Sequence, residues 1–87
     1  SEVVALTPCK VGTLTGNFAG NTAGIALTHG LGMDPENYSV LIEPLPTSQI
    51  EGAGIGHFYA LKFENHIVVH NTGISTSRFK AKFIVGE

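Results

Sequence analysis

The chain has 87 residues, a mass of 9.2 kDa and a formal net charge of −2, enough for one compact domain. Only 14% of its residues are charged and 43% are hydrophobic, whereas ordinary soluble domains carry roughly a quarter charged. With a pI near 6.0 and no apolar run approaching roughly 20 residues, neither nucleic-acid binding nor membrane insertion is expected.

A domain this small buries its own core only marginally, and covalent or metal staples often compensate. Here Cys9 is the only cysteine, so no intrachain disulfide forms, and no His/Cys cluster has the spacing of a structural zinc site. Cys9 reads as a small apolar residue. The apolar excess therefore predicts that the domain is homo-oligomeric and buries much of this surface against other copies.

Eleven glycines and four prolines break the chain into short runs of Val, Ile, Thr, Phe and Tyr. That pattern predicts an all-β fold, a small antiparallel β-sandwich of about six to eight strands. Glu2–Leu6 is the first strand and ends at Thr7-Pro8. Lys10–Thr15 is the second, ended by Gly16-Asn17, and Phe18–Gly20 is a short piece. Thr22–Thr28 alternates, with Ile25 and Leu27 inward. His29–Pro35 is a Gly-rich turn. Tyr38–Glu43 is the clearest apolar strand and is expected to stop at Pro44. Pro44–Gly56 reads as a long mobile loop, a type that is often functional.

His57–Phe63 and Ile67–Asn71 flank Glu64-Asn65-His66, which predicts a hairpin with a three-residue loop. In that register Tyr59, Leu61 and Phe63 share the core face with Ile67 and Val69. A two-residue loop would place Lys62 beside Ile67 on the core face, and the cost of burying a lysine argues against it. Asn71-Thr72-Gly73 is a turn. Arg78–Val85 alternates, with Phe79, Ala81, Phe83 and Val85 inward and Arg78, Lys80, Lys82 and Ile84 outward.

Chemistry-bearing patterns are sparse. His66 and His70 lie four residues apart on an extended segment, roughly 13 Å, too far to share a zinc whose ligands sit about 2 Å away. His66 reads as a turn residue, His57 and His70 as strand-surface or interface residues, and His29 as a turn residue. Cys9 has no histidine near it in sequence. Ser39, Ser48, Ser75 and Ser77 sit in ordinary strand and loop contexts, with no Gly-x-Ser-x-Gly elbow. Gly52-Ala53-Gly54-Ile55-Gly56 precedes a strand, whereas nucleotide-binding glycine loops follow one and open a helix. No cofactor and no metal are expected. The strongest charge pattern is a basic stripe, Lys62, Arg78, Lys80 and Lys82, placed with His70 on one non-core face. It suits an anionic group or simply keeps a β edge soluble.

The order of segments resembles a known kind of domain. Ile25-Ala-Leu-Thr-His-Gly-Leu-Gly-Met-Asp-Pro35 is followed by an apolar strand ending near Pro44, a Gly-containing loop, and Phe58-Tyr59. Val69-His70-Asn71-Thr72-Gly73 and a last strand with Phe79 and Phe83 complete it. This is similar to small β-sandwich domains of bacteriophage and prophage structural proteins, especially tail-fibre and receptor-binding modules. More distantly it resembles the H-type lectins, six-stranded sandwiches that assemble as trimers or hexamers. The last strand carries Ala81 where such modules often have a tryptophan.

The resemblance implies a non-enzymatic, homotrimeric virion structural or attachment module, located in the virion or, during assembly, in the host cytoplasm. Its partners would be its own copies, other virion proteins and a cell-surface carbohydrate. The candidate ligand contacts are His70, Asn71, Arg78, Lys80 and Lys82, with Tyr38 stacking on a sugar. The alternatives are a capsid decoration or assembly protein without glycan binding, and a small enzyme with an intersubunit active site.

Overall fold

The computed structural model describes residues 11–18, 24–74 and 76–85. The expected strand Glu2–Leu6, together with Thr7-Pro8, Cys9, Lys10, Ala19-Gly20, Thr22 and Ser75, lies outside the described residues. The described chain forms six strands: β1 (Val11–Asn17), β2 (Ile25–Thr28), β3 (Tyr38–Leu45), β4 (Phe58–Lys62), β5 (His66–Asn71) and β6 (Arg78–Val85). One short helix, α1 (Gln49–Ala53), and a single 3₁₀ turn, Pro35–Asn37, complete the set.

Two three-stranded antiparallel sheets result, ordered β1-β6-β3 and β2-β5-β4. They pack face to face. The inner face of β6 supplies Phe79, Ala81 and Phe83, and β5 supplies Ile67 and Val69, all fully buried. Phe18, just after β1, stacks on Phe79 with ring centres 4.6 Å apart. Leu14, Ile25, Leu27, Val40, Ile42 and Phe58 pack around this centre. The alternation expected for β2 and β6 is therefore the alternation observed.

Three local expectations are corrected. β3 runs through Pro44 to Leu45, because β3 is an edge strand and its open side needs no ladder hydrogen bond from a proline. The Pro44–Gly56 segment contains α1, started by Ser48, whose hydroxyl accepts from Glu51 N, while Glu51 Oε1 accepts from Thr47 N at 2.8 Å. This is a variant of the reciprocal side-chain cap that nucleates short helices. Gly54 to His57 is then tied to Asn71 to Ile74 by four hydrogen bonds: Gly56 N to Asn71 Oδ1, His57 N to Thr72 Oγ1, Thr72 N to His57 O and Ile74 N to Gly54 O.

The third correction has the widest consequence. The β4–β5 register pairs Lys62 with Ile67 and Phe58 with Asn71, and Phe63 N donates to His66 O. The turn is thus the two residues Glu64-Asn65, and His66 opens β5 rather than lying in the turn. Phe58, Ala60 and Lys62 point inward, and Tyr59, Leu61 and Phe63 point outward, the reverse of the expectation. The lysine is accommodated because its stem lies along the core while its ammonium reaches Tyr38 O at 2.8 Å. The same nitrogen stands 5.2 Å from the centre of the Tyr38 ring. A charged group that finds a carbonyl and an aromatic face does not carry the penalty of a buried, unpaired charge.

Candidate functional site

The six residues expected to contact a ligand do not come together. Arg78, Lys80 and Lys82 lie along the outer face of β6. Their neighbours on that face include Leu41, Glu43 and Leu45 of β3 and Thr13, Thr15 and Asn17 of β1. Lys80 Nζ pairs with Glu43 Oε1 at 3.3 Å, an exposed ion pair. His70 lies on the outer face of the other sheet, across the sandwich, and Lys62 points inward, so the single basic stripe with His70 does not exist.

Tyr38 and Asn71 are built into the interior. Tyr38 is 2% exposed, and its hydroxyl donates to Phe63 O at 2.7 Å. That buried ring has no open face for a sugar, which corrects its expected role. Burial also raises the Tyr38 pKa above its ordinary value. Asn71 is fully buried, and its Oδ1 accepts from both Gly56 N and Gly73 N. Among the described residues its Nδ2 has no partner. The Asn71-Thr72-Gly73 turn is therefore a clamp between two chain segments.

The Gly-rich turn is a second clamp. His29 N and Gly30 N both donate to Asn65 O, and Met33 N donates to Glu64 O. Positive φ at Gly30 (67°) and Gly32 (63°) lets the segment curl around the hairpin tip. His29 is fully buried within it, not simply a turn residue. Leu31 N donates to His29 Nδ1 at 2.9 Å, so the ring proton sits on Nε2, which faces Tyr38 Oη at 3.0 Å and Phe63 O at 3.3 Å. Desolvation lowers the His29 pKa below 6.5, although the Phe63 carbonyl acts in the opposite direction.

What remains exposed and unusual is the outer face of β2-β5-β4. The observed register arranges it as three rows: Gly24, His70 and Tyr59; Ala26, Val68 and Leu61; Thr28, His66 and Phe63. None of the nine is Asp, Glu, Lys or Arg. Tyr59, Leu61 and Phe63 are 47%, 47% and 42% exposed. Tyr59 stacks on His70 with ring centres 5.1 Å apart, and Phe63 on His66 at 4.5 Å. An antiparallel sheet with one solvated face ordinarily alternates apolar-in with polar-out, and this sheet is apolar on both sides. Sequence reasoning missed Tyr59, Leu61 and Phe63 as surface residues because a one-residue change of register moves every side chain of a strand to the opposite face.

Among the described residues, no group of three or more His, Cys, Asp or Glu stands close enough to hold a metal ion. No helix among them is long and apolar enough to cross a membrane. In comparison with known proteins, the chain matches no family model, no curated protein and no solved structure.

Proposed function

We propose that this domain is a non-enzymatic, self-assembling module of the virion structural or attachment class. The observation that carries the reading is the outer face of β2-β5-β4, which holds no Asp, Glu, Lys or Arg and exposes Tyr59 and Leu61 of β4 and Phe63 just beyond it. Apolar contact surface concentrated on one rigid sheet is what an assembly interface presents to its partner. Copies of the chain and other virion proteins are the partners. The trimeric or hexameric symmetry and the virion setting rest on the segment resemblance.

The test is solution mass against concentration, by light scattering, for the wild type and for Tyr59→Ser/Phe63→Ser. Both residues are about half exposed, so the variant keeps its core. The wild type is expected to self-associate and the variant to weaken at least about tenfold, a change of roughly 1.4 kcal/mol. A wild type of single-chain mass throughout the micromolar range overturns the reading.

An attachment role with a cell-surface carbohydrate ligand is the second reading. It is favoured by the half-exposed Tyr59 ring lying flat against His70, a platform on which a sugar ring can stack. Glycan-array binding by the wild type that disappears in Tyr59→Ala supports it. An array without signal removes it.

A further inference from the structure

Among the described residues, the open backbone of β4 offers an unfilled strand-pairing site. Phe63 N bonds to His66 O and Thr72 N to His57 O, so the odd-numbered residues of this segment turn their backbone groups toward β5. The alternation of an antiparallel ladder then turns N–H and C=O of Phe58, Ala60 and Lys62 to the open side. β4 is an edge among the described strands. Sheet edges are ordinarily blunted by charge, proline or shortness. On the neighbouring β3 edge, Tyr38 O is occupied by Lys62 Nζ and Pro44 has no N–H. β2 has only four residues. β4 has five residues and carries Tyr59 and Leu61, with Phe63 just beyond it, on its outer side, and its one charge, Lys62, points inward and is held by Tyr38 O.

We infer that the β4 edge pairs antiparallel, about a twofold axis at Ala60, with β4 of a second copy. This contact rests on the self-assembly reading above and names its interface. Centred on Ala60, the register pairs Ala60 with Ala60 of the second copy and Phe58 with its Lys62. All three open N–H groups of each strand then find carbonyls on the other. A centre at Tyr59 or Leu61 satisfies fewer of them.

The same register sets Tyr59 beside Leu61 of the second copy on the outer face, an aromatic–aliphatic cross-strand pair. A hydrogen-bond donor and an acceptor fit as well. His57 and Glu64, both exposed and flanking β4 at opposite ends, become near neighbours across the twofold. A groove of about 500 Å³, lined by Val40, Ile42, Phe58 and Ala60 among others, separates the β3 and β4 edges. The two sheets join into one of six strands, and the face without Asp, Glu, Lys or Arg doubles in area. The strand is self-complementary about Ala60, so a sister copy is favoured over an unrelated strand.

Two variants and one exchange measurement test this. Ala60→Pro removes an N–H that points away from β5 and leaves the internal ladder intact. Leu61→Lys puts a cation beside the axis at a position already 47% exposed. Both are expected to weaken self-association at least about tenfold while far-ultraviolet circular dichroism stays unchanged. In the wild type, the Phe58, Ala60 and Lys62 amides are expected to exchange slowly at high concentration and fast on dilution. That measurement stands even where the proline variant fails to fold. Slow, concentration-independent exchange at these three amides overturns the contact. Association equal in wild type and both variants overturns it too, and leaves the broader self-assembly reading in place. A single-chain mass throughout overturns both.

Discussion

His29 shows how one polar side chain in a core becomes a constraint. A buried imidazole is tolerated when both nitrogens are used, and here the Leu31 amide and the Tyr38 hydroxyl use them. Protonation would place a second N–H against the Leu31 N–H, with no acceptor. The folded pKa lies below the unfolded value of 6.5. The stability that His29 contributes is therefore complete above pH 6.5 and is lost as pH falls from there through the folded pKa. Thermal melts at pH 7.5 and pH 5 are expected to show a lower midpoint in acid, with the difference reduced in His29→Asn. A midpoint in the variant that falls as steeply as in the wild type would count against the argument. The sequence offered His-Gly-Leu-Gly as a turn signature. That the histidine is interior depended on Tyr38 and Phe63, which arrive from distant parts of the chain.

Between elements, the hairpin and the two clamps set the geometry of the outer faces. Lys62 is the residue on which the register turned. Read locally, an inward lysine looks costly, and a three-residue loop avoids it. The structure resolves it with the Tyr38 carbonyl, 24 positions away. No local pattern reports such a partner, although an Asn in a two-residue turn is itself a favourable hairpin signal. The Asn71-Thr72-Gly73 clamp admits a direct test. A Cβ at Gly73 would collide with the Gly54 carbonyl oxygen and the Gly56 nitrogen. Gly73→Ala is expected to destabilise the fold by about 3 kcal/mol in urea unfolding, near the upper end for overpacking. A loss under about 0.5 kcal/mol would mean that the 54–57 segment is not held as described.

At the scale of the whole molecule, the two outer faces divide the labour. The β1-β6-β3 face is the charged one. Its Lys80–Glu43 pair is exposed on both sides and contributes at most about 0.5 kcal/mol. Lys80→Ala/Lys82→Ala is accordingly expected to leave the thermal midpoint and the solution mass unchanged, whereas substitutions on Tyr59 and Phe63 change the mass. Loss of self-association in the lysine double variant would move the assembly site to the opposite face.

Composition and periodicity were sufficient for the β character of the chain, the Ile25–Thr28 and Arg78–Val85 alternations, and the outward placement of Arg78, Lys80 and Lys82. These features follow from nearest-neighbour chemistry: side chains alternate in a strand, and glycine and proline interrupt it. Tertiary structure alone decided that Tyr38 and Asn71 are interior, that His70 stands across the sandwich from the lysines, and that Tyr59, Leu61 and Phe63 face outward. Each of those outcomes depends on a hydrogen bond or a packing contact between segments far apart in sequence, and the period of a strand is the same whichever face is buried.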